Sequence, residues 1–203
     1  MDDLIFIASK HKYITADKKK LPSVSEIIEP LSKLVYGSID AEVLAIAAMR
    51  GSQIHELTVK LDTEKMVEAP YDLSNYLLAY ATFLRKHTVQ WFKRYTEEPM
   101  RYFDDYAGTI DRFGLVDDKR TLVDIKTSSK ITNKNMVVYE AQLNLYRRML
   151  EAHEEKVEQM FILHLKKDGG YTLEEVNIDD RLADDCLNIY KRMHERKRRN
   201  KNE

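Results

Sequence analysis

The sequence predicts an α/β fold in which a mixed central sheet is flanked by helices. Apolar residues recur at helical spacing over residues 40–62 and again over residues 136–153. Residues 106–127 form a pair of β-rich runs separated by a polar reversal, and residues 157–178 form a second such pair. We therefore expect each pair to supply two strands of the sheet and both helices to pack against it.

The length and composition indicate one globular domain. The chain has 203 residues, of which 43% are hydrophobic, and this is enough to form a full core. We expect a single domain over residues 1–203, with an N-terminal arm and short helix over 1–39. The core is expected over 40–178, and a C-terminal helix with a basic tail over 179–203.

Charge and cysteine content exclude several classes of protein. The 33 basic and 34 acidic side chains give a net charge of −1, so uniform attraction to nucleic acid or membranes is not expected. A polyanion must then be bound by local basic patches or by a bound metal. The single cysteine, Cys186, excludes a disulfide framework and a cysteine-based zinc site. Without a signal peptide or a long apolar span, a soluble cytoplasmic protein is expected.

The N-terminal region predicts an arm followed by two helices. Residues 1–20 suggest a peripheral strand or arm, and Ser23 or Ser25 can cap a short helix that Pro30 disturbs. The longer helix over 40–62 begins at a good N-cap residue, Asp40. Its central residue Gly51 costs about 1 kcal/mol relative to alanine, which suggests close approach of another backbone.

The remaining elements alternate between helices and strands. A helix over residues 72–95 follows Pro70, and a strand near residues 100–105 leads into the first β-rich pair. After the second pair, which turns at residues 167–170, a final helix is expected over 180–198. This helix and the one over 72–95 would complete the helical shell.

The first β-rich pair predicts a β-hairpin that carries charged residues among apolar ones. Its arms are residues 106–116 and 121–127, joined by a reversal at 117–119. Because strand side chains alternate, Asp124 and Lys126 point to the same face and Ile125 points to the other.

Buried unpaired charge is costly in such a strand. A divalent metal held by Asp111 and Asp124 would offset this cost, and the carbonyl of Ile125 would add a ligand.

Two helices flanking the hairpin carry further polar candidates. His55 follows Gly51 by one turn, and a lone histidine there is more often a hydrogen-bonded structural residue. Gln142 and Tyr146 are four residues apart and project from one helix face. Taken alone, that pair would be an ordinary polar surface.

Together these features resemble the PD-(D/E)XK nuclease superfamily, specifically its RecB-like and phage exonuclease-like branch. The motifs are His55 in GSQIH, Asp111 in AGTID, Asp124 and Lys126 in DIK, and Gln142 and Tyr146 in QLNLY. The resemblance covers residues 40–150 by motif and extends to 178 by element order. Ile110 replaces the family proline before the first acid, and the cysteines of iron–sulfur relatives are missing, which argues against those subgroups.

The resemblance implies a restriction-endonuclease-like core with the element order αβββαβ. It implies a metal-dependent DNA nuclease, most simply an exonuclease of phage or mobile-element recombination and repair. DNA would be the substrate, and a single-strand annealing or other recombination protein would be a partner.

The chemistry of the residues agrees with this function. Asp111 and Asp124 would hold Mg²⁺ or Mn²⁺, and by the resemblance His55 would complete the metal shell or support a second metal. An imidazole ligand favours Mn²⁺ over Mg²⁺. Lys126 would orient or deprotonate the attacking water and offset phosphate charge. By the resemblance, Gln142 and Tyr146 would position the substrate strand.

Three alternatives stay open at this point. The chain could bind nucleic acid on the same fold with little cleavage, or act as a structure-specific endonuclease. In a metal-independent interaction domain, Asp124 and Lys126 would be a simple ion pair contributing only about 0–1 kcal/mol. Strand polarity, strand preference and oligomeric state are not determined by the sequence.

Overall fold

The computed structural model describes residues 4–7, 11–64 and 66–199, with side chains described as far as residue 195. The end of the expected basic tail therefore lies outside the described side chains. The elements in chain order are β1 (Leu4–Ile7), β2 (Lys12–Thr15), β3 (Lys20–Leu21), α1 (Val24–Ile27), α2 (Glu29–Tyr36), α3 (Ala41–Thr63), α4 (Ser74–Lys86), β4 (Val89–Trp91), β5 (Glu98–Tyr102), β6 (Tyr106–Ile110), β7 (Arg112–Val116), β8 (Lys119–Lys126), α5 (Asn133–Ala152), β9 (Gln159–Leu165), β10 (Tyr171–Glu175) and α6 (Asp180–Arg199).

The central sheet has five strands in the order β10-β9-β8-β7-β4. Strands β8 and β9 run parallel, whereas the other neighbours are antiparallel. A long α5 crossover makes the parallel pairing possible, because parallel neighbours cannot be joined by a tight turn. The predicted α/β class with a mixed central sheet is confirmed.

Helices cover both faces of this sheet. On one face, α5 and α6 pack over strand residues that include Phe113, Leu122 and Ile162. On the other face, α3 and α4 pack over Val123 and Ile125, among others. The alternation along β8 therefore sends the side chains of neighbouring residues into different cores, and Asp124 and Lys126 share the side of Leu122.

The hairpin differs from its prediction in two respects, and the first is that its first arm is not continuous. The chain breaks at Asp111: β6 pairs with β5 in a separate two-stranded sheet, whereas β7 pairs with β8 and β4. At the break, the Asp111 carboxylate takes the backbone N–H of Ile125 that a continued ladder would have used. The reversal is also shorter than expected, since only Asp117 and Asp118 lie in the loop, both with positive φ.

The predicted helix over residues 72–95 is wrong in its second half. Helix α4 ends at Lys86, and Val89–Trp91 instead form the edge strand β4, which pairs with β7. The change follows the β-branched pair Thr88 and Val89, which favours extended backbone. The side chain of Asp117 accepts the Thr88 N–H at 2.9 Å and so fixes the entry to the strand.

The expectation about Gly51 is also wrong. A Cβ atom added there would meet nothing within 4 Å, so no backbone approaches it closely. Only the second half of α3 is buried, through Ile54, Leu57 and Thr58. The first half, although apolar, borders open space.

The N-terminal region forms a small sheet, β1-β2-β3, followed by two short helices. Ser23 caps α1 through a reciprocal pair of bonds with Glu26, as one of the two expected caps. Pro30 does not disturb this helix, since it lies in the first turn of α2. Among the described helices, none is long and apolar enough to cross a membrane.

Candidate active site

Three side chains that can bind a metal converge where β6 passes into β7. They are His55 from α3, Glu97 from the residue before β5, and Asp111 from the break, and their ligand atoms lie within 4.8 Å of one another. His55 Nδ1 lies 2.9 Å from Glu97 Oε1 and 3.5 Å from Asp111 Oδ1. One imidazole and two carboxylates are a donor set that suits Mn²⁺ and, less well, Mg²⁺.

The hairpin strand β8 brings a third carboxylate and the lysine to the same cleft. Asp124 is 1% exposed, and its Oδ2 lies 2.6 Å from Lys126 Nζ. Its Oδ1 is buried without a hydrogen-bond partner among the described residues. A buried carboxylate oxygen left unpaired is costly, and a bound cation would satisfy it. The residues present therefore fit a divalent metal.

The strands are joined at this point by a side-chain-to-backbone bond. Asp111 Oδ2 accepts the Ile125 N–H at 2.7 Å. This bond directs the other oxygen, Oδ1, toward His55. It also fixes the position of Asp111 relative to the strand that carries Asp124 and Lys126.

Helix α5 supports the lysine from the other side. Lys126 Nζ donates to Gln142 Oε1 at 3.1 Å, and Gln142 Nε2 donates to Tyr146 Oη at 3.2 Å. The ammonium group also lies 5.1 Å from the centroid of the Tyr139 ring. These contacts, together with Asp124, hold the Lys126 side chain in one direction.

Titration of the cluster reflects a balance of burial and charge. Burial alone would lower the pKa of His55, but Asp111 and Glu97 outweigh it and raise the pKa to about 9. Burial raises the pKa of Asp111 and of Asp124 above the ordinary carboxyl range. For Lys126, burial acts to lower the pKa, but the two aspartates raise it. Near neutral pH, His55 and Lys126 are therefore cationic in the metal-free protein.

A buried arginine, Arg112, donates hydrogen bonds to two residues of the candidate metal-binding group. Arg112 has no exposed surface and donates to Glu97 Oε1 at 3.1 Å and to the Asp111 carbonyl at 2.7 Å. It also donates to Asp62 Oδ2 at 2.8 Å and to Thr58 Oγ1 at 3.0 Å. These bonds direct Glu97 toward His55 and balance the negative charge beside it.

Apart from the buried Arg112 and its partners Asp62 and Thr58, these groups border one cleft of about 1540 Å³. Every residue singled out from the sequence lines it: His55, Asp111, Asp124, Ile125, Lys126, Gln142 and Tyr146. Helix α3 forms one wall, and the segment from Thr127 to Asn135 forms another. The small N-terminal sheet and the end of α2 close the remaining sides.

Two residues of the cluster were missed by the sequence reading. Glu97 reaches the site through a positive φ of 52° and through its N–H, which donates to the carbonyls of Ile110 and Asp111. Nothing in its local sequence indicates this position. Arg112 did leave a signal, because an arginine inside an apolar strand needs buried carboxylates as partners.

One comparison with known proteins, that with family models, agrees with the resemblance. A family model described as the PD-(D/E)XK nuclease superfamily matches residues 39–202. No curated protein matches the chain. Among solved structures, the crystal structure of SSO0001 is 17% identical with a TM-score of 0.41, covering 82% of this chain and 75% of that one. The crystal structure of LHK-Exo in complex with dAMP is 13% identical with a TM-score of 0.42, covering 87% and 89%.

Proposed function

The chain belongs to the PD-(D/E)XK nuclease superfamily, and from this we propose that it is a metal-dependent deoxyribonuclease that hydrolyses phosphodiester bonds. One observation supports the proposal above all others. The carboxylates Asp111 and Asp124, the lysine Lys126 and the imidazole of His55 border the same cleft, although α3, the break between β6 and β7, and β8 supply them. Cleavage of a phosphodiester needs such a combination of metal ligands and a fixed cation.

His55, Glu97, Asp111 and Asp124 are the residues that would hold a divalent cation, Mg²⁺ or Mn²⁺. When bound, the cation would neutralise phosphate charge and lower the pKa of a water molecule. The unpaired Oδ1 of Asp124 supports its inclusion. Glu97 is added to the ligands expected from the sequence because of its place beside His55.

Lys126 provides fixed positive charge. In the metal-free protein Asp124 and Asp111 raise the pKa of the Lys126 ammonium. As a cation it would donate hydrogen bonds to the attacking water or to a phosphate oxygen. Gln142 holds the Lys126 side chain, and Tyr146 holds Gln142. The two α5 residues therefore act on the lysine, and their polar groups also face the cleft where the substrate strand would pass.

The type of nuclease is proposed from the branch of the superfamily that the motifs resemble. We propose an exonuclease that acts in phage or mobile-element recombination and repair, with a single-strand annealing or other recombination protein as partner. Closed circular DNA tests this, because an exonuclease needs an end. Circles that stay intact while their linear forms are degraded would support it, and cut circles would indicate an endonuclease.

The nuclease proposal is tested with purified protein and linear single-stranded and duplex DNA. Degradation is expected with Mg²⁺ or Mn²⁺, with Mn²⁺ the more effective, and none is expected in EDTA. Lys126→Ala should abolish it. Intact DNA under both metals, with Lys126→Ala behaving as the unaltered chain, would overturn the proposal. A protein that binds DNA but neither cuts it nor binds metal would indicate a binding role.

A further inference from the structure

The first half of α3 exposes an apolar face that leads directly to the metal-binding cluster. Leu44, Ala47, Ala48 and Gly51 recur at helical spacing and continue to His55 on the same side. All of them line the cleft, and Leu44 is 39% exposed. Gly51 has open space where a Cβ would stand. Small side chains therefore keep a path open along the helix toward His55.

Two buried carboxylates, those of Asp111 and Asp124, lie at the inner end of this path. Asp124 is 1% exposed and Asp111 is 9% exposed, and both line the cleft. Oδ1 of Asp124 has no hydrogen-bond partner among the described residues. To reach Asp111 and Asp124, the scissile phosphate must enter the cleft between α3 and the segment from Thr127 to Asn135. The nucleotides on either side of it must then lie against these two walls.

The walls present two kinds of chemistry to those nucleotides. The α3 face is apolar. On the side of the cleft formed by the N-terminal residues, the rings of Phe6 and His11 lie edge to face with their centroids 5.4 Å apart. Lys130 and Lys134 are exposed on the segment after β8 and form no ion pair with the described residues. Aromatic and apolar walls bind the faces of bases, whereas lysines bind phosphates.

Base faces are available only in an unpaired strand, since in a duplex they are stacked inside the helix. Duplex recognition would instead require a broad cationic surface that contacts phosphates of both strands. On the basis of the proposed nuclease function, we infer that the substrate enters the cleft as an unpaired DNA strand. Its bases lie along Leu44, Ala47 and Gly51, and its phosphates face Lys130 and Lys134.

Arg50 lies at the end of this path, where it would contact a phosphate of the bound strand. Its guanidinium donates to the Thr127 carbonyl at 3.2 Å, directly after Lys126, and its Nε is buried without a partner in the described part of the chain. The side chain lines the cleft beside the catalytic strand. It therefore adds positive charge close to the phosphate that precedes or follows the scissile one.

The first experiment measures binding and cleavage on matched substrates. A fluorescent 20-base single strand, its blunt duplex, and the duplex with unpaired ends are compared by anisotropy in EDTA and by cleavage with Mn²⁺. Binding of the single strand should be tighter than that of the blunt duplex by about tenfold or more. Unpaired ends should restore rapid cleavage to the duplex.

The second experiment places bulk in the path. Gly51→Leu should lower kcat/KM for the single strand by about tenfold or more, since each displaced base loses its contact with the wall. Gly51→Ala and Ala45→Leu are the controls: the first adds only a methyl group, and the second places a leucine at an exposed position outside the cleft lining.

The outcomes separate this inference from the proposed function. Equal or faster cleavage of the blunt duplex, with Gly51→Leu as active as Ala45→Leu, would overturn the inference and leave the nuclease function intact. Absence of cleavage on every substrate would defeat the nuclease function, and anisotropy in EDTA would then decide the inference alone. Tighter binding of the duplex than of the single strand in that assay would overturn it.

Discussion

His55 Nδ1 lies 2.9 Å from Glu97 Oε1, although the two residues are 42 positions apart. The contact joins the middle of α3 to the residue before β5, and with Asp111 it completes the group proposed to bind the metal. Arg112 holds the same Glu97 oxygen from the opposite side at 3.1 Å. Glu97 is thus oriented by two partners, as expected for a carboxylate that serves as a metal ligand.

Replacement of Glu97 by glutamine should weaken divalent metal binding. We expect the Kd for Mn²⁺ to rise by about tenfold or more, because a charged oxygen ligand is lost while the shape is kept. Isothermal titration calorimetry measures this directly. Glu98→Gln is the matched control, since it removes the same charge from the exposed neighbouring residue. Equal Mn²⁺ affinity in both variants would mean that Glu97 is not a ligand.

The pH dependence of metal binding should follow His55. Its pKa is raised to about 9, so below that pH the metal-free imidazole carries a proton that the metal must displace. Affinity for Mn²⁺ should therefore rise as pH increases from 6 to 9, by up to about tenfold per pH unit where the proton is fully bound. Calorimetry in buffers of different ionisation enthalpy should detect release of about one proton near pH 7. Affinity that does not change over this range would exclude His55 from the metal shell.

Lys126 should matter for cleavage far more than for metal binding. Lys126→Met keeps an unbranched side chain, one atom shorter, and removes its charge, and kcat should fall by about 10²–10⁴-fold. Mn²⁺ affinity should not fall, because a competing cation beside Asp124 has been removed. Lys119→Met, at the exposed tip of the same hairpin, should leave kcat unchanged. If both variants cleave DNA at the same rate, the role proposed for Lys126 is wrong.

Parts of the site could be predicted because they depend on local geometry. The alternation of a strand places Asp124 beside Lys126, and the helical repeat places Gln142 beside Tyr146, whatever the rest of the chain does. The fold class followed from the same two periodicities. The family resemblance then connected the strand and helix motifs, and the structure places both in one cleft.

Other parts depend on contacts between distant residues. The break at Asp111 exists because its carboxylate replaces a backbone acceptor for the Ile125 N–H. The amphipathic pattern that favoured one helix over residues 72–95 continues through Trp91, whose indole N–H donates to the Tyr80 hydroxyl from a strand. Periodicity alone cannot show where a strand breaks or where a helix gives way to a strand, because an apolar side chain can be buried from either kind of backbone.

Arg112 should be one of the most sensitive positions for stability. Arg112→Met leaves the carboxylates of Asp62 and Glu97 without their buried cation, so we expect a loss of about 3–5 kcal/mol in the free energy of unfolding. Urea denaturation monitored by circular dichroism measures it. Arg120→Met, which removes a partly exposed arginine of the hairpin, should cost less. A loss below about 1 kcal/mol for Arg112→Met would show that the buried network is not stabilising.

Gly108 is required by the ring of Tyr146. A Cβ at residue 108 would lie 2.6 Å from Tyr146 Cε1 and 3.1 Å from Val24 Cγ2, and the ring is only 6% exposed. Gly108→Ala should therefore cost about 1–3 kcal/mol through overpacking. Displacement of the ring should also release Gln142 and loosen Lys126, so DNA cleavage should fall as well.

A double variant separates the two effects of Gly108→Ala. Combination with Tyr146→Leu removes the ring that the new methyl group meets, so the urea midpoint should recover part of the loss. DNA cleavage should stay low, because the hydroxyl that accepts from Gln142 is still missing. Tyr146→Phe alone should keep the packing and show the contribution of the hydroxyl. If Gly108→Ala matches the unaltered chain in both urea midpoint and cleavage rate, the ring does not constrain this strand.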